Sequence, residues 1–366
     1  MTGARRLLTV LILWLSASSL ASYGDVEPHF RHCVADCYRQ RERTLQLADD
    51  CAPPLTPPNW QSWLMRPLTA LTRRTCIEQC EYTCMTDITA RRRGAGEAVY
   101  KYHGHWAFTR HFGLEEPASV LFSLLNTAPH LARLAGLLLS PLPPSRPRGS
   151  QGQGQGQGPL GGYYMRKHLA MYPLVSLVAW LSSAVFHAHK TPASTLVDYS
   201  SALVFLCYGL WLTLRRAMGS KAWRPAGCVF LLGAAALCAR LHAMRLGRVS
   251  YDAHMRTCIA VAVITIILWL AWLAHQVLVL KESCRGEPFP FNRLRCVLCQ
   301  AGFGAASMLE LFDFPPLFMA LDAHSLWHMC TIPLGFVWYD FWDADEANVC
   351  FRESKSGHAR EVDKQS

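Results

Sequence analysis

The sequence predicts an all-α membrane protein, a seven-transmembrane helix bundle carrying a small disulfide-rich luminal domain at its N-terminus. Three observations carry that prediction. Of 366 residues, 51% are hydrophobic and only 17% charged, against roughly a quarter charged in soluble domains. Several apolar runs approach the ~20 residues that a spanning helix needs, Cys258 to Leu280 being the clearest. Six of the fifteen cysteines are gathered ahead of the first run. A soluble protein with buried core helices is the alternative; the number and length of the runs argue against it.

Residues 1–21 read as a cleaved signal peptide: Arg5-Arg6 start it, Leu7 to Leu15 form the apolar centre, and Ser19-Leu-Ala21 offers small residues for cleavage. An uncleaved anchor is the competitor, but that centre is short for spanning. Residues 22–116 then enter the secretory lumen, where disulfides persist. Cys33, Cys37, Cys51, Cys76, Cys80 and Cys84 are the disulfide candidates. An even count predicts three bridges and leaves about fifteen ways to pair them. Their spacing matches no common zinc finger. Cys296-Val-Leu-Cys299 falls inside an expected span, which argues against a redox role. No Asn-x-Ser/Thr sequon occurs, so N-glycosylation is not expected.

Spans are expected near 117–139, 168–187, 197–214, 225–243, 257–280, 296–312 and 317–341, giving a membrane domain over 117–341 and a cytosolic tail over 342–366. Pro315-Pro316 separates the last two, and Pro333 is placed to kink the seventh. Charge fixes the orientation. With the N-terminus luminal, the loops and tail on the cytosolic side carry sixteen basic residues, among them Arg215, Arg216, Arg293 and Arg295. The opposite loops carry four: Lys190, Arg245, Arg248 and Arg256. That asymmetry obeys the positive-inside rule. It also spreads the net charge of +10 among juxtamembrane loops, which argues against nucleic-acid binding. Residues 141–162, with a Gln-Gly repeat at 151–158, read as a flexible cytosolic loop.

Ionisable groups at membrane depth are costly and therefore functional candidates. His324 and His328 stand four apart in the seventh span, on one helical face. His187 ends the second span, Ser183 lies one turn deeper, and Asp198 opens the third. The orientation places all five in the luminal layer. His187, His324 and His328 are a zinc-like ligand set, three imidazoles with a fourth position open. Such an ion activates water and polarises a carbonyl, and zinc suits imidazole where no redox step is needed. Asp198 would take the water's proton and Ser183 would hydrogen-bond the water or the oxyanion. Glu310, Asp313 and Asp322 are candidates for orienting the imidazoles. Each residue alone has a plainer reading: Ser183 as a helix-packing serine, Asp198 as a helix cap, an isolated histidine pair as packing. Their joint occurrence favours a membrane-embedded metallohydrolase.

These residues resemble the CREST superfamily of seven-span metallohydrolases, marked by Ser-x3-His ending span two, Asp opening span three and His-x3-His in span seven. Ser183/His187, Asp198 and His324/His328 match one by one. The cysteine-rich head, His103-Gly-His-Trp-Ala-Phe108, Glu116-Pro-Ala-Ser119 and Leu309-Glu-Leu-Phe-Asp-Phe-Pro-Pro316 are similar to its GPI fatty-acid remodelling (post-GPI-attachment) family. The resemblance covers essentially the whole mature chain. It implies phospholipase A2-like removal of the sn-2 acyl chain from the phosphatidylinositol of GPI-anchored proteins. Those proteins are then the lipid substrate and membrane lipids the surroundings, with no obligate protein partner evident. Golgi residence is implied for animal members and the ER for fungal ones. A ceramidase-like amidase and a seven-span receptor with a structural zinc are the alternatives.

Overall fold

The structure is a computed structural model that describes residues 22–45, 73–139, 164–219, 222–247, 251–280 and 291–365. The signal-peptide candidate 1–21, Cys51 and the loop 141–162 lie outside the described residues. The described chain is helical, with three isolated bridges and no named strand. Its helices are α1 (Tyr23–Val26), α2 (Pro28–Leu45), α3 (Cys76–Gly94), α4 (Pro117–Leu139), α5 (Arg166–Ala188), α6 (Pro192–Met218), α7 (Trp223–Arg245), α8 (Tyr251–Leu280), α9 (Phe291–Phe312) and α10 (Ala323–Gln365).

The head is the α2–α3 pair. Cysteines four apart on each helix meet in register, forming Cys33–Cys84 and Cys37–Cys80. Cys76 is also disulfide-bonded. Phe30, Ile88 and Tyr102 form the small core around these bridges. So few apolar side chains cannot offset much chain entropy, which is why covalent staples are needed. Thr75 caps α3 through a capping box with Glu78.

Helices α4 to α10 stand at the seven places where spans are expected. Four of them, over Arg166–Ala188, Pro192–Met218, Arg224–Arg245 and Ala253–Leu278, are long and apolar enough to cross a membrane. The other three carry polar residues that the bundle buries, among them Asn126, His130, Gln300 and His328. Helix α10 packs on α4 and α9, α4 on α5, α5 on α6, and α6 on α7 and α8, with a thinner α8–α9 contact. Lipid gives helices no hydrophobic reason to associate, so close packing has to supply it. Two glycines permit that packing around α10. A Cβ on Gly335 would stand 2.7 Å from the Pro129 ring, and one on Gly302 would stand 2.5 Å from Leu334.

Several boundaries differ from the sequence reading. Helix α10 begins at Ala323, because 317–321 form a turn in which Phe318 and Met319 adopt positive φ. It also runs past 341 into the expected tail. Buried Trp342 and the Arg216–Asp345 ion pair anchor that continuation. Pro333 lies within α10 without ending it. Helix α6 begins at Pro192, capped by Thr191 with Ser194, so Asp198 sits in the second turn and is not the cap.

The head docks on one end of the bundle. Arg74 donates to the Ala188 carbonyl at 2.9 Å, Glu116 N donates to the His187 carbonyl at 3.0 Å, and Thr109 N donates to the Met319 carbonyl at 2.8 Å. These contacts fall at the end of α5 and at the turn before α10, the two places that carry the histidines.

Candidate metal centre

Helix α5 delivers His187 in its last turn, and α10 delivers His324 and His328 from its first two turns. Their Nε2 atoms form a triangle. His187 lies 3.3 Å from His324 and 3.2 Å from His328, and His324 lies 3.0 Å from His328. The rings are turned so that one nitrogen of each points to a common focus.

Two carboxylates set the tautomers. His187 Nδ1 meets Glu116 Oε2 at 2.5 Å, and His324 Nδ1 meets Glu310 Oε2 at 2.7 Å. Each Nδ1 carries the donated proton, so each Nε2 presents a lone pair inward. His328 is fixed differently. Its ring packs against both Trp180 and Trp327, and its carbonyl accepts from Asn126 at 2.8 Å and from Thr331 at 2.8 Å. Its buried Nδ1 has no hydrogen-bond partner among the described residues.

Three facing acceptors repel, and one shared proton can serve only one pair at a time. A cation at the focus satisfies all three. Tetrahedral zinc bound by imidazole at ~2.0–2.1 Å spaces its ligand atoms about 3.3 Å apart. The observed edges of 3.0–3.3 Å fit that spacing. Carboxylates on the far nitrogens are the usual support for metal-bound histidine. The donor set therefore fits a zinc-like ion.

Glu116 is itself held. It is 5% exposed and pairs with Lys190 as well as with His187. Burial alone would raise its pKa, but Lys190 and His187 hold it well below the usual carboxylate range. Glu116 therefore stays an anion that accepts from His187.

The structure brings some sequence candidates together and sends others elsewhere. Ser183, 7% exposed, lies one turn from His187 and shares a hydrogen bond with Ser123 at 3.1 Å. Asp198 lies within electrostatic reach of His324 and Glu116. Of the three carboxylates proposed to orient imidazoles, only Glu310 touches one. Asp313 instead pairs with Lys101 and accepts from Trp106 Nε1 at 3.0 Å. Asp322 caps α10: its Oδ1 accepts from Ser325 N at 2.8 Å, and its own N donates to Ser325 Oγ at 2.9 Å. A short acidic side chain just before a helix competes poorly for a ring when free backbone donors are adjacent. The sequence reading gave Glu116, Lys190 and Ser123 no role. An acid immediately before the first expected span, on the side expected to carry the histidines, was the available signal for Glu116.

The sequence profile of the Per1-like family matches residues 67–346. The Danio rerio protein named GPI-specific phospholipase A2-like PGAP3 is 31% identical over 89% of this chain and 91% of its own length. The Drosophila melanogaster protein named post-GPI attachment to proteins factor 3 is 29% identical over 92% of this chain and 93% of its own. The Homo sapiens GPI-specific phospholipase A2-like PGAP3 is 29% identical over 94% and 96%. No solved structure matches.

Proposed function

This chain belongs to the Per1-like family, and from that premise we propose that it remodels the lipid of GPI-anchored proteins. The reaction is zinc-dependent hydrolysis of the sn-2 acyl ester of their phosphatidylinositol. The observation that carries this reading is the triangle of Nε2 atoms with carboxylates behind two of the rings. Zinc, when bound, supplies Lewis acidity toward water and toward an ester carbonyl.

The chain's own residues supply the rest. Glu116 and Glu310 keep the Nδ1 protons of His187 and His324 in place. Asp198 takes a proton from the attacking water as its oxygen bonds the acyl carbon. Ser183 donates to the carbonyl oxygen as negative charge develops there, with Ser123 orienting its hydroxyl. When the ester C–O bond breaks, Asp198 returns the proton to the glycerol oxygen. The products are a free fatty acid and a lyso-lipid.

In this reading all seven helices cross the membrane, with the head and the imidazoles on the luminal side and the tail cytosolic. The charge asymmetry of the loops supports that orientation, as does the docking of the head beside the histidines. The membrane is that of the Golgi, with the ER as the alternative, and GPI-anchored proteins are the substrates. The test is fatty-acid release from a defined GPI lipid by purified protein. Release that stops with chelator and returns with zinc is expected. Zinc-loaded, folded protein that releases no fatty acid would overturn the proposal.

A further inference from the structure

A cavity of about 610 Å³ lies between the head and the bundle, beside the imidazole cluster. One wall belongs to the head: Glu81 and Tyr82 of α3, with His103, His105 and Trp106 from the extended return. The opposite wall is the start of α6, including Tyr199, the neighbour of Asp198. Glu116 and Lys190 also line it. Because Glu116 also holds His187, the lining comes within one hydrogen bond and one ring's width of the Nε2 triangle.

Its chemistry is selective. The lining cations are already engaged, Lys190 by Glu116 and Arg110 by Glu115 and Gln79. The carboxylates outnumber them, since Glu78, Glu81, Glu115 and Glu116 all line the space against Arg110 and Lys190. Among the described residues Glu81 pairs with neither Arg110 nor Lys190, and its nearest partner is the exposed His103 ring, at 3.7 Å. The half-buried His105 ring lines the same space and makes no hydrogen bond among the described residues, so its nitrogens are open to a ligand. An anionic group would meet the excess of carboxylates, and an acyl chain would leave Glu81 and His105 unsatisfied.

We infer that this cavity binds the sugar part of the lipid head, an uncharged or amine-bearing hexose joined to a polyol, and so delivers the ester to the imidazoles. The inference rests on the reading that the imidazole cluster cleaves a GPI lipid. Glu81 accepts from hydroxyls or an ammonium, and His105 donates to or accepts from a hydroxyl. Burial, with Glu78 and Asp25 adding to it, raises the Glu81 pKa above its ordinary value, a cost that a ligand ammonium beside the carboxylate would relieve. Burial also holds His105 well below its ordinary pKa, which keeps the ring neutral. Head-group selection then resides in the cysteine-rich head, outside the reacting groups.

The test uses full-length protein in detergent, treated with chelator, and glucosaminyl-myo-inositol as a soluble probe in calorimetry. Wild type is expected to bind the probe, Glu81→Gln and His105→Phe to bind it roughly tenfold or more weakly, and myo-inositol phosphate not to compete. In parallel, zinc-loaded wild type is expected to prefer the glycosylated lipid over plain phosphatidylinositol with the same acyl chains, and the two variants to lose that preference. Equal probe binding by wild type and both variants, or effective competition by inositol phosphate, would overturn the inference. Equal cleavage of both lipids without probe binding sinks it and leaves the hydrolase standing. Probe binding that the variants lose, with no acyl release from either lipid, sustains it and sinks the hydrolase.

Discussion

Replacing Glu310 isolates the support of one imidazole without touching a ligand atom. Its Oε2 lies 2.7 Å from His324 Nδ1. Glu310→Ala removes the acceptor that fixes the His324 tautomer, so the ring can protonate Nε2 or rotate away from the focus. Loss of such a partner costs about 10–100-fold in metal affinity, or about 1.4–2.8 kcal/mol. Glu310→Gln keeps an oxygen that accepts from Nδ1 but loses the charge, and charge-assisted hydrogen bonds are about twice as strong as neutral ones. The glutamine variant is therefore expected between wild type and alanine, at roughly tenfold or less. Competition with a chromophoric zinc chelator on detergent-solubilised protein measures the affinity, and acyl release at saturating zinc reports whether the loaded site still works. If folded Glu310→Ala binds zinc within about twofold of wild type, the carboxylate does not orient His324 and the reasoning fails.

Ser183→Ala should retain partial activity, down about 10²–10³-fold with lipid binding unchanged, as loss of one oxyanion donor requires; complete loss would instead point to a serine nucleophile. The bridges Cys33–Cys84 and Cys37–Cys80 close loops of 51 and 43 residues, each worth about 4 kcal/mol in chain entropy taken alone. Because they join the same two helices, losing one leaves nearly the same loop closed and should cost less, about 3 kcal/mol, whereas losing both should unfold the head; limited proteolysis of the single and double serine variants distinguishes the cases. His105 has a folded pKa well below its ordinary 6.5, owing to burial and then to Lys190. The unfolded chain therefore binds more protons, and stability is lost as pH falls below about 6.5. His105→Phe should shrink the drop in melting temperature between pH 7 and pH 5; an unchanged drop would remove His105 from the account.

The helices were legible because apolar runs of near-spanning length recur along the chain, four of them in helices long and apolar enough to cross a membrane, and the charge between runs is lopsided. The imidazole set was legible because His324 and His328 share a helical face, and Ser183 stands one turn from His187. What was not legible depends on contacts between distant residues. Glu116 reaches His187 across 71 positions, and no local pattern separates it from Asp313 or Asp322, which turned to Lys101 and to a helix start. Cysteine pairing likewise required knowing that α2 and α3 lie side by side. The extent of α10 depended on Arg216 finding Asp345, 129 residues away.

The central claim is that His187, His324 and His328 hold one cation through their Nε2 atoms. X-ray absorption at the zinc edge of purified full-length protein tests it directly. The account predicts one zinc per chain with three imidazole nitrogens at ~2.0–2.1 Å and one oxygen ligand, all lost in His328→Ala. Folded, active protein without bound metal, or a zinc signal dominated by sulfur, would contradict it.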